Sequence, residues 1–424
     1  HNAALSKENF DKRILGFFAE RNYIREYPSG SLVSSLVGFV RQDGIGATGL
    51  ESSMNSLISG TDGRYSYARG LGAEIPGSQN EIIPAKKGTT VRLTIDRDVQ
   101  WVAQNAISQA VSASRAQSGT VIVMNPKTGA ILAQASAPTF DPSVPSSITL
   151  EKLKNPAVQE VYEPGSTGKV ITVAAALEEG LVSPESVFTI PYKMKVADQY
   201  FHDHEKHPTQ RLTTAGLLAV SSNTGSIQIG QKLGKDVLYD YLRKFGIGES
   251  TNSKLPGESA GILHPVKNWS GTSLPTIAFG QGYSLTAMQA TSVFATIANN
   301  GVRVKPSILA GVIDESGKYT PAKPNESVKV LSEQTAINMR AMMESVVSAN
   351  GTAPTAAIAG YRVAGKTGTA MRIDDTCGCY RGYTASFIGF APADKPAYVI
   401  SVTIQDPKGL HWGGALGGPV FKKV

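Results

Sequence analysis

The sequence predicts an α+β protein in which an antiparallel sheet is flanked by helices. Two β-rich runs within residues 119–136, joined by Asn-Pro-Lys-Thr-Gly, predict a β-hairpin. Helical patterns dominate between residues 150 and 350. Three later runs predict a β-meander: "YRVAGKTGTA", "YTASFIGFAP" and "AYVISVTIQ". The order of hairpin, helices and meander is the basis for this fold class.

A smaller module precedes that domain. Residues 1–86 are rich in glycine, serine and turn dipeptides, and they predict short strands, turns and one short helix. Residues 88–96 alternate as a strand does, and Asp96 is suited to cap the helix that follows. The apolar stripe of this helix consists of Val99, Val102, Ala103, Ala106, Ile107 and Ala110. We therefore predict a non-catalytic module over residues 1–86 and a catalytic domain over residues 87–424.

Composition narrows the class of protein. The chain has 424 residues, enough for two or three domains of roughly 150 residues. Its net charge of +7 is modest and no dense Lys/Arg run occurs, which disfavours nucleic-acid binding. No apolar run reaches the ~18 residues that a membrane span requires. The two cysteines, Cys377 and Cys379, exclude a disulfide scaffold and do not by themselves form a structural zinc site.

One stretch matches a nucleotide-binding pattern. Residues 360–367, "GYRVAGKT", fit G-x-x-x-x-G-K-[ST], the P-loop in which backbone amides cradle phosphates. A P-loop follows a buried strand and opens a helix. The residues after Thr367 contain two cysteines and several glycines and carry no helical stripe. The context therefore argues against a nucleotide site.

The stretch "YEPGSTGKV" at residues 162–170 predicts a helix beginning at Ser166, with Lys169 one turn later on the same face. A serine hydroxyl is a poor nucleophile until a neighbouring base takes its proton. A lysine can be that base when burial and nearby positive charge lower its pKa. Taken alone, however, the pattern is more typical of an N-cap serine beside a solvated lysine.

Two further motifs change this balance. Ser221-Ser222-Asn223 follows the apolar helix "TTAGLLAV", and Lys366-Thr367-Gly368-Thr369 lies on a predicted strand. S-x-x-K, S-x-N and K-T-G, in this order on helix, loop and strand, match the motif set of active-site serine enzymes that react with penicillins. Each motif is common by chance, whereas the ordered set is specific.

With these motifs the chain resembles the class B penicillin-binding proteins, the D,D-transpeptidases of peptidoglycan synthesis, and fits best their septal, cell-division branch. The resemblance covers nearly the whole chain. It includes "GTTVRLTIDRDVQ", "VMNPKTGAILAQASAPTFDP", "GQGYSLTAMQATSVFATIANNG" and the C-terminal "GGPVFKKV". In the first 86 residues, "REYPSG" and "GLESSMNSLISGTDG" resemble the pedestal module. The resemblance implies the serine-transpeptidase fold with a helical subdomain and a dimerisation-type pedestal.

The resemblance also implies the roles of individual residues. Ser166 would be the acylated nucleophile, Lys169 its base and Ser221 a proton relay to the leaving D-alanine. The backbone N–H groups of Ser166 and Thr369 would form the oxyanion hole. The substrate-binding residues would be Asn223, Lys366, Thr367, Gly368 and Thr369. Among these, Asn223 would hold the stem-peptide amide and Lys366 the terminal carboxylate.

The implied ligands are peptidoglycan stem peptides, as D-Ala-D-Ala donor and amine acceptor, and β-lactam antibiotics. We expect no cofactor, no metal and no nucleic acid. The resemblance further implies cell-division or glycosyltransferase partner proteins and an extracytoplasmic location. The family's membrane anchor and R-G-x-I-x-D-R segment are not found in this sequence, so we expect the anchor to lie outside it. A D,D-carboxypeptidase, a β-lactam sensor and a β-lactamase remain alternatives.

Several residues near the motifs receive other interpretations. The stretch "FHDHEKH" at residues 201–207 lacks H-E-x-x-H, because Pro208 replaces the second histidine, and predicts a surface loop. Glu163 and Glu205 lack a motif context for a hydrolytic base. Cys377 and Cys379 either form a local disulfide or remain thiols. A disulfide across so short a loop would add little global stability.

Overall fold

The structure, a computed structural model, describes residues 24–70, 73–374 and 377–424. The N-terminal module begins with short helices, α1 (Ser34–Val37), α2 (Gly49–Ser53) and α3 (Asn55–Ile58), and continues with the hairpin of β1 (Arg64–Gly70) and β2 (Ala73–Ile83). The prediction of one short helix was therefore wrong for this region. Each of these helices is about one turn long, too short to produce a helical period in the sequence.

The catalytic part opens with β3 (Thr90–Leu93), α4 (Arg97–Ser114), β4 (Ser118–Met124) and β5 (Ile131–Ala137). Asp96 caps α4 as predicted, since its carboxylate accepts hydrogen bonds from the backbone N–H groups of Asp98 and Val99. The pairing of β4 with β5 confirms the predicted hairpin. The boundary near residue 87 stays a prediction.

Helices contribute more residues than strands to the middle of the chain, as predicted. Its helices are α5 (Pro156–Gln159), α6 (Lys169–Glu178), α7 (Thr214–Ala219), α8 (Asn223–Leu233), α9 (Lys235–Lys244), α10 (Ser273–Ala278), α11 (Ala287–Ala298) and α12 (Glu333–Glu344). Every residue of α11 is buried, consistent with a helix that is apolar or small on all sides. α11 starts after Thr286, whose hydroxyl and Gln289 form a reciprocal capping box.

Short strands that were not predicted separate these helices. They are β6 (Val161–Tyr162), β7 (Val187–Ile190), β8 (Lys193–Val196), β9 (Gln199–His202), β10 (Gln210–Thr213), β11 (Leu285–Thr286), β12 (Val302–Val304), β13 (Leu309–Ile313), β14 (Tyr319–Pro321) and β15 (Ser327–Lys329). Most pair in two-stranded ribbons, and β3 joins β13 and β14. Runs of two to five residues are too short for alternation to identify.

The C-terminal part supplies β16 (Ala364–Asp374), β17 (Cys379–Ala391), β18 (Tyr398–Gln405) and α13 (Gly413–Lys423). The three strands form the predicted meander. With the earlier hairpin they make a five-stranded antiparallel sheet in the order β16-β17-β18-β4-β5. The first and last parts of the catalytic domain therefore share one sheet.

Helices cover both faces of this sheet. Successive residues of β4 point to opposite sides, so Val121 and Val123 pack in one apolar cluster with α4 and α13, for example with Phe421. Ile122 and Met124 belong to the cluster on the other face, which contains α6 and α11. This arrangement leaves β16 at one edge, beside the motif residues. No helix in the described ranges is long and apolar enough to span a membrane.

Candidate active site

Ser166 lies in a 3₁₀ turn, Gly165–Gly168, that leads directly into α6. The predicted helix thus begins at Lys169, and Ser166 belongs to the tighter turn before it. Gly165 adopts φ +53°, a left-handed conformation that glycine tolerates well, and its N–H donates to the carbonyl of Gly280 at 2.8 Å. Just upstream, Tyr162 of β6 pairs with Leu285 of β11. Backbone hydrogen bonds therefore hold the turn on two sides.

Lys169 is the first residue of α6 and is completely buried. Its Nζ lies 3.0 Å from Ser166 Oγ, 3.2 Å from Ser221 Oγ and 2.7 Å from Asn223 Oδ1. Burial lowers the pKa of Lys169 to about 7, against the opposing effect of the Asp203 carboxylate. A substantial neutral fraction near neutral pH makes this amine suitable as a proton acceptor.

Ser221 occupies the loop between α7 and α8, as predicted for the S-x-N motif. Its φ of +63° is unusual for a residue other than glycine and indicates local backbone strain. Ser221 Oγ is within 2.9 Å of Lys366 Nζ as well as 3.2 Å of Lys169 Nζ. The pKa of Lys366 is held well below its ordinary value by burial and, secondarily, by the positive charge of Lys169.

Asp203 is a residue of this site that the sequence did not identify. Its Oδ1 accepts from the backbone N–H groups of Asn223 at 2.6 Å and Thr224 at 2.9 Å. Its Oδ2 accepts from Ser222 Oγ at 2.8 Å, and His207 Nε2 lies 3.0 Å away. A negative charge at the N-terminus of α8 is electrostatically favourable. Asp203 thus fixes the S-x-N loop in place.

The surface-loop prediction for residues 201–207 was therefore wrong for Asp203, which is buried, although His204 and Glu205 are exposed. Asp203 is separated from the motif by β10 and α7, and a contact over that length of chain gives no signal in the sequence. Across the described part of the chain, no group of three or more His, Cys, Asp or Glu side chains is arranged to hold a metal ion.

The K-T-G motif lies on β16, and no helix follows it. This context confirms the rejection of the P-loop interpretation, in which Lys366 would precede a helix. Thr367 Oγ1 is 2.8 Å from the hydroxyl of Thr352, and Thr369 Oγ1 accepts from the N–H of Gly413 at 3.1 Å. Thr352, in the loop before β16, is a second residue that the sequence did not single out. Together these groups form a hydroxyl-rich surface along one side of the strand.

Gly368 lies where β16 comes close to the turn that carries Ser166. In the structure, a methyl group at this position would collide with Ser386 Oγ and lie 2.8 Å from the carbonyl oxygen of Pro164 and 3.0 Å from Thr167. Gly368 therefore permits close packing of β16 against the turn that carries Ser166.

The two positions expected to form the oxyanion hole lie near each other. A methyl group on Gly165, the residue before Ser166, would be 3.3 Å from the carbonyl oxygen of Thr369 and 3.2 Å from Ala370 Cβ. The nucleophile turn and β16 are thus in contact at residues 165 and 369–370. Such proximity is what two converging N–H donors require.

Glu163 links this turn to the β16–β17 hairpin. Its Oε1 accepts from the N–H of Gly282 at 2.8 Å and from the Tyr380 hydroxyl at 3.3 Å. Burial raises the pKa of Glu163. Tyr380 directly follows a disulfide between Cys377 and Cys379, which resolves the two alternatives that the sequence left open. Glu163 thus joins the hairpin to the residues just before Ser166.

Comparison with known proteins gives the family. The model of the penicillin-binding protein transpeptidase domain matches residues 119–424. The model of the penicillin-binding protein A dimerisation domain matches residues 18–81. A match over most of the chain shows that it belongs to the penicillin-binding protein transpeptidase family, and the added dimerisation module assigns it to class B, as the motifs predicted.

Individual relatives agree with this class. The chain is 40% identical over 418 residues to the penicillin-binding protein PbpB of Mycolicibacterium smegmatis, covering 96% of this chain but 64% of that protein. It is 32% identical to the probable peptidoglycan D,D-transpeptidase PenA of Neisseria meningitidis, covering 96% of this chain and 68% of PenA. The structure resembles penicillin-binding protein 3 of Mycobacterium tuberculosis complexed with aztreonam, with TM-score 0.86, 38% identity and coverage of 94% and 88% of the two chains. The chain therefore spans less than two thirds of the length of PbpB.

Proposed function

We propose that this chain is a serine D,D-transpeptidase that cross-links peptidoglycan stem peptides through an acyl-enzyme at Ser166. The observation that carries the proposal is the 3.0 Å contact between Ser166 Oγ and the buried Nζ of Lys169. A nucleophile in contact with an amine of lowered pKa is the arrangement that serine acylation requires. The name of PenA and the aztreonam complex of the tuberculosis protein support the same reaction class.

In the acylation step, Ser166 Oγ attacks the carbonyl carbon of the penultimate D-alanine while Lys169 Nζ takes the hydroxyl proton. The resulting oxyanion accepts hydrogen bonds from the backbone N–H groups of Ser166 and Thr369. When the C–N bond breaks, Ser221 Oγ donates a proton to the leaving amine. Ser221 recovers a proton from the Lys169–Lys366 pair, whose Nζ atoms both lie within hydrogen-bond distance of its hydroxyl.

The donor substrate is positioned by polar groups on both sides of Ser166. Asn223 holds the stem-peptide amide. Lys366, Thr367 and Thr369 bind the terminal carboxylate, aided by Thr352, whose hydroxyl is 2.8 Å from that of Thr367. The carboxylate of a β-lactam takes the same place, and its ring carbonyl acylates the same serine. In the second step an amine from another stem peptide attacks the ester carbonyl and releases Ser166 Oγ, which regains its proton.

We place this activity on the extracytoplasmic face of the bacterial membrane, where members of this family act. The resemblance of its motifs to the septal branch supports a role in cell division, with glycosyltransferase and division proteins as partners.

Fluorescent penicillin tests the proposal directly. Wild-type protein should be labelled covalently, and labelling should be lost in Ser166→Ala and in Lys169→Ala. Ser143→Ala, an exposed serine remote in sequence from the motifs, is the control and should label fully. Unlabelled wild-type protein, or equal labelling of Ser166→Ala, would show the proposal to be wrong. Incubation with a D-Ala-D-Ala donor and a free D-amino acid separates amine transfer from hydrolysis, since only the former yields the exchanged peptide.

A further inference from the structure

A cavity of about 360 Å³ lies beside α11, and none of the motif residues lines it. One wall is the segment 245–252 that follows α9. The opposite walls are Gln289 and Ser292 of α11 and the residues Arg303 and Lys305 in and after β12. The side chains facing this cavity are therefore largely polar, and two of them are cationic.

Arg303 is the central feature of the cavity. Its guanidinium lies directly over Gly246, where any side chain would collide with it and where φ is +90°. Within the described ranges, no acceptor makes a hydrogen bond or ion pair with this half-buried guanidinium. Burial lowers the pKa of Arg303, while Glu249 opposes and Arg243 adds to this effect. A guanidinium withdrawn from water without an acceptor is energetically costly.

Ser292 gives independent evidence that hydrogen-bond donors in this cavity lack a protein acceptor. Its neighbours on α11, Thr291 and Thr296, donate their hydroxyls to carbonyl oxygens four residues earlier at 2.7 Å and 2.8 Å. Ser292 is a buried residue that lines the same cavity as Arg303, and among the described residues none pairs with its hydroxyl. Two hydrogen-bond donors without a protein partner therefore line one partly open cavity.

The remaining charges do not neutralise Arg303. Glu249 also lines the cavity, but its carboxylate is 2.6 Å from Arg243. Lys305 pairs with Glu326, whose side chain is 78% exposed, so this ion pair is a weak surface interaction. Lys305 can thus contribute its charge to a ligand in the cavity at little cost.

We propose that this cavity binds an oxyanion, the carboxylate or phosphate group of a small ligand, between Arg303, Ser292 and Lys305. The planar guanidinium presents paired N–H groups that match two oxygens of such a group. The Ser292 hydroxyl donates a further hydrogen bond to an oxygen of the same group. Lys305 adds the long-range attraction of its positive charge. The site is separate from the one that acylates Ser166, and its existence does not depend on the proposed function.

Isothermal titration calorimetry with inorganic phosphate and with acetate, at constant ionic strength, tests this site. At least one anion should bind saturably to the full chain with one-to-one stoichiometry. Arg303→Gln should weaken that binding about tenfold or more, since it removes a charge-assisted hydrogen bond. Arg211→Gln, an exposed arginine on β10, is the matched control and should bind as wild type does. Tighter binding of phosphate or of acetate identifies which source of the oxyanion the cavity prefers.

The proposal is overturned if neither anion binds saturably, or if Arg303→Gln binds as tightly as wild type. Equal weakening in Arg211→Gln would also overturn it, because the effect would then reflect net charge. Circular dichroism shows whether each variant is folded. If Arg303→Gln is not, Ser292→Ala decides: a several-fold loss of affinity supports the site, and unchanged affinity rejects it.

Discussion

Lys366 Nζ lies 2.9 Å from Ser221 Oγ, a hydroxyl that Lys169 Nζ also approaches at 3.2 Å. Both lysines are fully buried, and both have pKa values lowered by that burial. Two ammonium groups around one hydroxyl would repel each other strongly in such a site. The two amines should therefore titrate as a coupled pair, and under the proposed mechanism the loss of a proton from the pair would prepare Ser166 for attack.

Acylation by penicillin should depend on pH in the direction set by Lys169. Below a pH of about 7 the amine is protonated and cannot accept the Ser166 proton. The second-order acylation rate should rise about tenfold per pH unit up to that point and then level off. Stopped-flow labelling from about pH 5 to pH 9 measures the profile. A rate independent of pH over this range would contradict the role of Lys169 as the base.

Asp203→Asn should shift the dependence of the acylation rate on pH to lower pH. The Asp203 carboxylate raises the pKa of Lys169, opposing the larger effect of burial, so its removal lowers that pKa further. The variant should also lose about 1–2 kcal/mol of unfolding free energy, because a charged cap of α8 becomes neutral. Asp198→Asn, in an exposed turn, should change neither quantity. A profile shifted toward alkaline pH would contradict the assignment.

Glu163→Gln should keep acylation close to the wild-type rate, since a neutral amide oxygen can still accept from Gly282 and Tyr380. Glu163→Ala removes the acceptor of both hydrogen bonds and should cost about 0.5–1.5 kcal/mol of stability for each bond lost. Urea unfolding and the labelling rate of the two variants distinguish the effect of losing the hydrogen bonds from the effect of losing the negative charge. Equal damage in both would mean that the ionised carboxylate is required.

The pH dependence of stability provides a second test of Glu163. Its raised pKa means that the folded protein holds the proton more tightly than the unfolded chain. The contribution of Glu163 to the unfolding free energy is complete below the ordinary glutamate pKa. It is lost as the pH rises through the raised pKa that Glu163 has in the folded protein. Glu163→Gln lacks this loss, so its stability relative to wild type should increase with pH. Unfolding experiments at about pH 4 and pH 8 measure the difference, and a constant difference would contradict the prediction.

Gly368→Ala should impair both stability and acylation. Its methyl group would meet Ser386 Oγ and Pro164 O, and relief requires β16 to move away from the Ser166 turn. We expect about 1–3 kcal/mol of destabilisation and at least a tenfold slower labelling rate. Gly216→Ala, in α7, should be neutral or stabilising, because alanine favours helix. Normal labelling of Gly368→Ala would show that the close packing is not needed.

Local signals account for what the sequence predicted. Asp96 and Thr286 cap their helices through residues two or three positions away, and the strands of the hairpin and meander are seven residues or longer. Ser221 and the K-T-G motif lie on the expected loop and strand, whereas Ser166 lies in a 3₁₀ turn just before the predicted helix. Asp203 and Thr352 were missed because each acts on a partner 15 to 20 residues distant, and loop sequence carries no record of such contacts. The packing that requires a glycine at position 368 was likewise not visible in the sequence, because it arises from contacts with Pro164 and Ser386, which lie on other elements.

The position of β16 at the edge of the sheet has a consequence for how resistance to inhibitors can arise. Within the described chain, β16 has one strand neighbour, β17, so its other edge faces the site with its peptide groups. Peptide groups are the same whichever side chain a codon specifies. Substitutions therefore leave this contact to an extended ligand intact. Selection against a β-lactam would have to act on side chains around the strand, such as Thr352 and Thr369, or on the packing that sets its distance from Ser166.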